Sequence, residues 1–259
     1  MKRVYLIGAC AALFVACSNP PEDIRQDLRS VAKSSEVAEN IALLSGILEG
    51  GVSQENPKFK SSNATMRWQA AQNLGDIGAI EAFEILRDRS LSELADSNPH
   101  VRRECVIALG KLRYSGVQDQ KRKDIIKMIV RQLVGEDAPG RIPSYLESDR
   151  LVRRALLETL ITLGLPPSDS SATREEMVMG YRDVAGELHN VAVQLYAAQN
   201  RIRNSVLHKA MLERAYGGLA LVTATPLAQA KAVQAASDNI QDYHSWWVDQ
   251  ISKMPRLDE

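Results

Sequence analysis

Three segments of this chain superpose on one another residue for residue, and that recurrence constrains the fold more than any other feature. Met66-Arg67-x-x-Ala70-x-x-x-Leu74-Gly75 returns 35 residues later as Val101-Arg102-x-x-Cys105-x-x-x-Leu109-Gly110. A third copy, Val152-Arg153-x-x-Leu156-x-x-x-Leu160, follows 51 residues after the second, with Ile161 where the glycine stood. Apolar residues at i, i+4 and i+8 share one face of an α-helix, so each copy is a helix with one stripe to bury. The added length before the third copy falls around Pro139, Gly140 and Pro143, which marks an inserted loop and not a lost register.

A second helix is expected after each copy, at residues 79–87, 118–134 and 173–188. Asn98-Pro99 opens the middle copy with a capping side chain and a proline at the first helical position, where its missing N–H costs nothing. Ala70, Cys105 and Leu156 fall where paired helices are expected to cross closely. Cys105 then serves as a small core residue, since a reactive thiol needs an accessible, electropositive setting.

Asp96-Ser97-Asn98-Pro99-His100-Val101-Arg102 with Ala108-Leu109-Gly110, and Leu74-Gly75-Asp76-Ile77-Gly78, resemble HEAT repeats of the short bacterial type also found in phycobilin lyases. The resemblance covers about residues 63–188. It implies an all-α chain, an α-solenoid of HEAT-like helical hairpins with helical N- and C-terminal caps, and it speaks to fold far more than to activity.

The flanks continue the helical pattern. Ile24, Leu28 and Val31, then Val37, Ile41, Leu44 and Leu48, predict two antiparallel helices closed by Gly50-Gly51, with a loop to Asn63. Beyond residue 188 the spacing persists through Val191, Leu195, Ile202 and Leu207 to Tyr216, and Gly217-Gly218 is expected to break it. Thr225-Pro226 should start one last helix with the stripe Val233, Ala236, Ile240, Tyr243, Trp247 and Ile251. The expected organisation is 1–16 signal peptide, 17–62 tether and N-terminal helical cap, 63–188 repeat array and 189–259 C-terminal helical region.

Met1-Lys2-Arg3 is basic and residues 4–16 are apolar, a run too short to span a bilayer as a mature helix and typical of a secretory signal. Phe14-Val15-Ala16-Cys17 resembles the bacterial lipobox, departing from it at Phe14. That resemblance implies that Cys17 is acylated and becomes the new N-terminus. Ile7-Gly8-Ala9-Cys10 fits the same pattern but leaves too short an apolar run. Ser18, where some bacteria place an inner-membrane Asp, implies the outer membrane facing the periplasm. An uncleaved anchor or an ordinary signal peptide is the alternative. Asn19-Pro20-Pro21 reads as a tether.

With 32 basic and 32 acidic residues there is no global field to attract nucleic acid. Two of the three cysteines lie in the signal segment, so no pair remains for a structural disulfide. Electrostatic recognition must therefore be local. Arg67, Arg102 and Arg153 recur in phase, with Arg103 and Arg154 beside two of them. The HEAT resemblance implies a structural ladder pairing with acids in neighbouring turns, and a basic groove is the alternative. Lys123, Lys127 and Arg131 stand four apart, opposite Ile125, Ile129 and Leu133, forming either a solvated face or a partner-binding one. Trp246, one position off its helix stripe, is either a partner-binding hot spot or packed on a neighbouring helix. His100, His189, His208 and His244 share no ligand spacing, so no metal and no cofactor are expected, and scattered carboxylates give no acid–base pair. The expectation is a non-catalytic, lipid-anchored scaffold or assembly factor for another cell-envelope protein. A structural subunit of an envelope machine, such as a secretion, pilus or motility complex, and a lyase-like enzyme are the alternatives.

Overall fold

The computed structural model of the chain describes residues 37–50, 64–115, 119–135, 147–165, 181–199 and 206–254. Among them the regular elements are all helical: ten α-helices and one short 3-10 turn, with no strand. They form two compact units that divide between Tyr114 and Ser115. The signal segment with Cys17, the tether, the expected helix at Ile24 to Val31 and the loop at 51–63 lie outside the described residues.

The N-terminal unit contains α1 (Val37–Glu49), α2 (Ala64–Ile77), a 3-10 turn (Ile80–Ala82) leading into α3 (Phe83–Leu91), and α4 (Pro99–Lys111). α2 lies along α4, with α1 against α2 and α3 against α4. α1 buries Ile41, Leu44, Ile47 and Leu48, and Gly50 ends it at φ 63°, the left-handed region glycine tolerates without a Cβ clash. The recurring positions Ala70, Leu74, Val101, Cys105 and Leu109 are all inaccessible to solvent. Burial also pushes the Cys105 thiol far above its ordinary range, so it stays protonated and unreactive.

A close helix approach in this unit is at Gly75 and Ala108. A Cβ on Gly75 would come within 2.7 Å of the Ala108 Cα. α2 and α4 therefore meet backbone to backbone there, which only a glycine permits.

The C-terminal unit contains α5 (Gln120–Val134), α6 (Arg150–Leu163), α7 (Arg182–Gln199), α8 (Val206–Val222), α9 (Leu227–Ala236) and α10 (Ile240–Ser252). α6 packs on α5 and α8, while α7 packs on α5, α8 and α10. Val152, Leu156 and Leu160 of the third copy are buried on α6, as their spacing predicts.

Two expectations fail in this unit. Gly217-Gly218 does not break a helix; both residues lie inside α8. A Cβ on Gly218 would come within 2.4 Å of the Ile161 Cδ1, so the glycine receives the bulk that replaces the repeat glycine in the third copy. The single last helix is also two. α9 ends at Ala236, and Asn239 starts α10 by accepting the Asp242 N–H at 3.0 Å while its amide donates to the Asp242 carboxylate at 2.8 Å. Thr225 caps nothing at α9, where Pro226 holds the N-cap position without a side-chain bond. Of the expected stripe only Tyr243 and Trp247 are buried, because α9 turns away after burying Ala230 alone. No helix among the described residues is long and apolar enough to cross a membrane.

Candidate functional site

The phased arginines build helix starts. Arg102 Nη1 donates to the carbonyls of Asp96 (2.8 Å) and Ser97 (3.2 Å). Arg153 Nη1 repeats this at Glu147 (3.0 Å) and Ser148 (2.8 Å). In both copies the preceding acid accepts the N–H of the capping residue: Asp96 from Asn98 at 2.9 Å, and Glu147 from Asp149 at 2.7 Å. The capping residue then accepts from the first turn, Asn98 from His100 and Asp149 from Leu151. Acids at a helix N-terminus also suit its dipole. Arg67 matches the expected pairing with an acid, donating two bonds to the Asp96 carboxylate at 2.6 and 3.0 Å. Burial alone would raise the Asp96 carboxyl. The bonds from Arg67 and Asn98 and the charges of Arg67 and Arg89 outweigh burial and hold it below the usual carboxylate range.

Lys123, Lys127 and Arg131 share the solvent side of α5, Lys127 and Arg131 exposed and Lys123 partly so. Behind them Ile125, Ile129 and Leu133 are fully buried, which fixes the rotation of the helix and holds the cations outward. Successive cations climb about 6 Å per step along the helix, a spacing that suits acidic side chains on an extended or helical partner.

The neighbouring Arg122, which sequence reasoning passed over, is only 3% exposed. It donates to Asp183 at 3.0 Å and to the Leu163 carbonyl at 2.9 Å, and its guanidinium sits 4.6 Å from the Tyr181 ring centroid. One side chain thereby ties α5 to the end of α6 and the start of α7.

A second grouping was not foreseen at all. His189 and Tyr196 on α7, Tyr216 on α8, and Tyr243, His244, Trp246 and Trp247 on α10 form one aromatic cluster. The His189 and His244 rings meet edge to face with centroids 5.5 Å apart. Tyr216 Oη and His244 Nε2 are 2.8 Å apart; the hydroxyl donates to the Nδ1–H tautomer or accepts from the Nε2–H one. Burial, then the charge of its neighbour His244, lower His189, against a smaller opposing effect of a backbone hydrogen bond at His244; burial also lowers His244. Burial raises Tyr216 and Tyr243, so these two hydroxyls and the two imidazoles are neutral near pH 7.

Trp246 is partly exposed, stacked on Tyr243 (6.1 Å, 8° between planes) and edge-on to Trp247 at 4.7 Å. The rings that hold it are on its own helix. His208, by contrast, is a buried structural residue whose Nε2 donates to the Leu195 carbonyl at 2.6 Å, and His100 is exposed on α4. Among the described residues no three His, Cys, Asp or Glu are grouped to hold a metal ion.

No protein family, curated protein or solved structure matches the chain. Function must then be argued from its own residues. A composition signal for the aromatic cluster did exist, since the run Tyr243-His244-Ser245-Trp246-Trp247 is unusually ring-rich for a chain with 5% aromatics. Its partners on α7 and α8 had no such signal.

Proposed function

We propose that the chain is a lipid-anchored cell-envelope lipoprotein whose helical stack, an α-solenoid of the HEAT type, serves as a non-catalytic docking scaffold or assembly factor. The observation that carries the proposal is the sequence at residues 2–17, where a basic pair and an apolar run end in Phe14-Val15-Ala16-Cys17. Acylation at Cys17 would hold the folded part on a membrane surface, on the periplasmic side of an outer membrane, and raise its effective concentration near membrane partners. The array reading is supported by the side-by-side packing of α2 and α4 and by the identical helix starts at Asn98 and Asp149. Docking is supported by the outward cations of α5 and by Trp246, which offers a ring to a partner at little ordering cost.

Two measurements test this. Cys17→Ala should move the protein from a membrane fraction, resistant to high salt, into the soluble one; continued membrane partitioning would sink the anchor. Replacing Lys123, Lys127 and Arg131 together by Glu should abolish cross-links to envelope proteins in intact cells while the chain stays helical. Unaltered cross-links would remove the α5 face from the proposal.

A further inference from the structure

We propose that the facing imidazoles of His189 and His244 make the docking of α10 on α7 acid-sensitive, so that proton uptake releases α10 and uncovers the buried rings of Tyr243 and Trp247. His189 comes from α7 and His244 from α10, two helices in direct contact, and their rings lie 5.5 Å apart. Protonation would put two like charges at that distance inside a cluster walled by Tyr196, Tyr216 and Tyr243. Nε2 of His189 is buried with no hydrogen-bond partner among the described residues, so a proton placed there would meet neither water nor an acceptor.

Among the described residues no carboxylate relieves that charge. On α7, Asp183 is held by Arg122 of α5, and Glu187 lies two positions from His189, about 200° round the helix. On α8 the group facing the pair is Tyr216; Glu213 and Lys209 are exposed, and Arg214 is paired with Glu158 of α6. Lys231, the charged residue of α9, is exposed. On α10 itself Asp242 is bonded by Asn239 and Asp249 by Lys253. Burial and, for His189, the neighbouring His244 govern both rings.

The sign follows from linkage. Both histidines bind protons less readily in the docked state than in an undocked one, where they regain the ordinary value of about 6.5. The docking contribution is thus fully present above about pH 6.5 and is lost as pH falls below it. The Tyr216 hydroxyl can accept from a charged His244 ring in the docked state and so opposes release in part, but burial outweighs it and leaves His244 lowered.

The test is amide hydrogen exchange on the full chain at about pH 7.5 and about pH 5, corrected for intrinsic exchange, with a fall in protection of roughly tenfold expected across residues 240–252. Residues 99–111 should keep theirs, and the His189→Gln, His244→Gln double variant should lose the pH response. Parallel changes in both segments, or an unaltered response in the variant, would overturn the proposal. Should the variant not fold, the imidazole signals of the native chain decide by NMR. Titration of both rings below about 6.5 supports the latch, and titration of either at or above that value removes it.

Discussion

Arg102 in the N-terminal unit and Arg153 in the C-terminal unit perform the same task, yet the side chains that tie helix to helix differ between the two units. In the N-terminal unit the interior tie is Asp96, which takes two bonds from Arg67 and caps toward Asn98. In the C-terminal unit the ties are a buried guanidinium, Arg122, and the paired imidazoles of His189 and His244. The helix-start device is local, spanning seven residues from acid to arginine, so it recurs intact. What joins helix to helix is not repeated, and it gives each unit its own response to charge and acidity.

That contrast can be broken most sharply at Asp96. Asp96→Ala removes the carboxylate that takes two bonds from Arg67, whose side chain is only 14% exposed, and removes the acceptor of the Asn98 N–H. A loss of about 3 kcal/mol is expected. Hydrogen exchange should show it in residues 64–111 and not in 150–163; an equal loss in both would erase the distinction between the units. The same carboxylate sets the acid limit of the N-terminal unit. Its lowered value means the contribution is fully present above about pH 4 and disappears as pH falls through the folded value, well below the histidine range.

Arg122→Met comes next, at about 2 kcal/mol, because the Leu163 carbonyl loses its donor inside the unit. The Asp183 share is small, as that side chain is 41% exposed and screened by water. A lower urea midpoint should appear in the fluorescence of Trp246 and Trp247, measured in a Trp68→Phe background, while exchange in α4 stays unchanged.

The glycines give the smallest and most diagnostic pair. Gly75→Ala should destabilise by about 1–2 kcal/mol, since its Cβ would press on the α4 backbone at Ala108 and helix propensity cannot offset that. Gly217→Ala meets nothing within 4 Å and should stabilise by about 0.5–1 kcal/mol. Thermal melts of the two variants moving in the same direction would remove the claim that the repeat glycine exists for the crossing.

The sequence alone was enough to locate the recurring core at Ala70, Leu74, Val101, Cys105, Leu109, Val152, Leu156 and Leu160, and the cap at Asn98. Helical spacing and capping depend on residues within about one turn of each other, so no tertiary knowledge is needed. The outward stripe of Lys123, Lys127 and Arg131 was legible for the same reason. The break at residues 237–239 carried a readable signal in Ser237-Asp238-Asn239, but the apolar spacing on either side outweighed it.

Other features belonged to the tertiary structure alone. Gly218 sits inside α8, where Ile161 of another helix occupies the space a Cβ would take. Arg122 is flanked by partly exposed lysines, and only the ends of α6 and α7 decide that it is buried. The meeting of His189 with His244 follows from how α10 lies on α7, a crossing that no spacing rule encodes. Local periodicity specifies which face of each helix must be covered; which side chains then face one another depends on the rotation and crossing of helices distant in the chain, and that is where the chemistry of this protein is set.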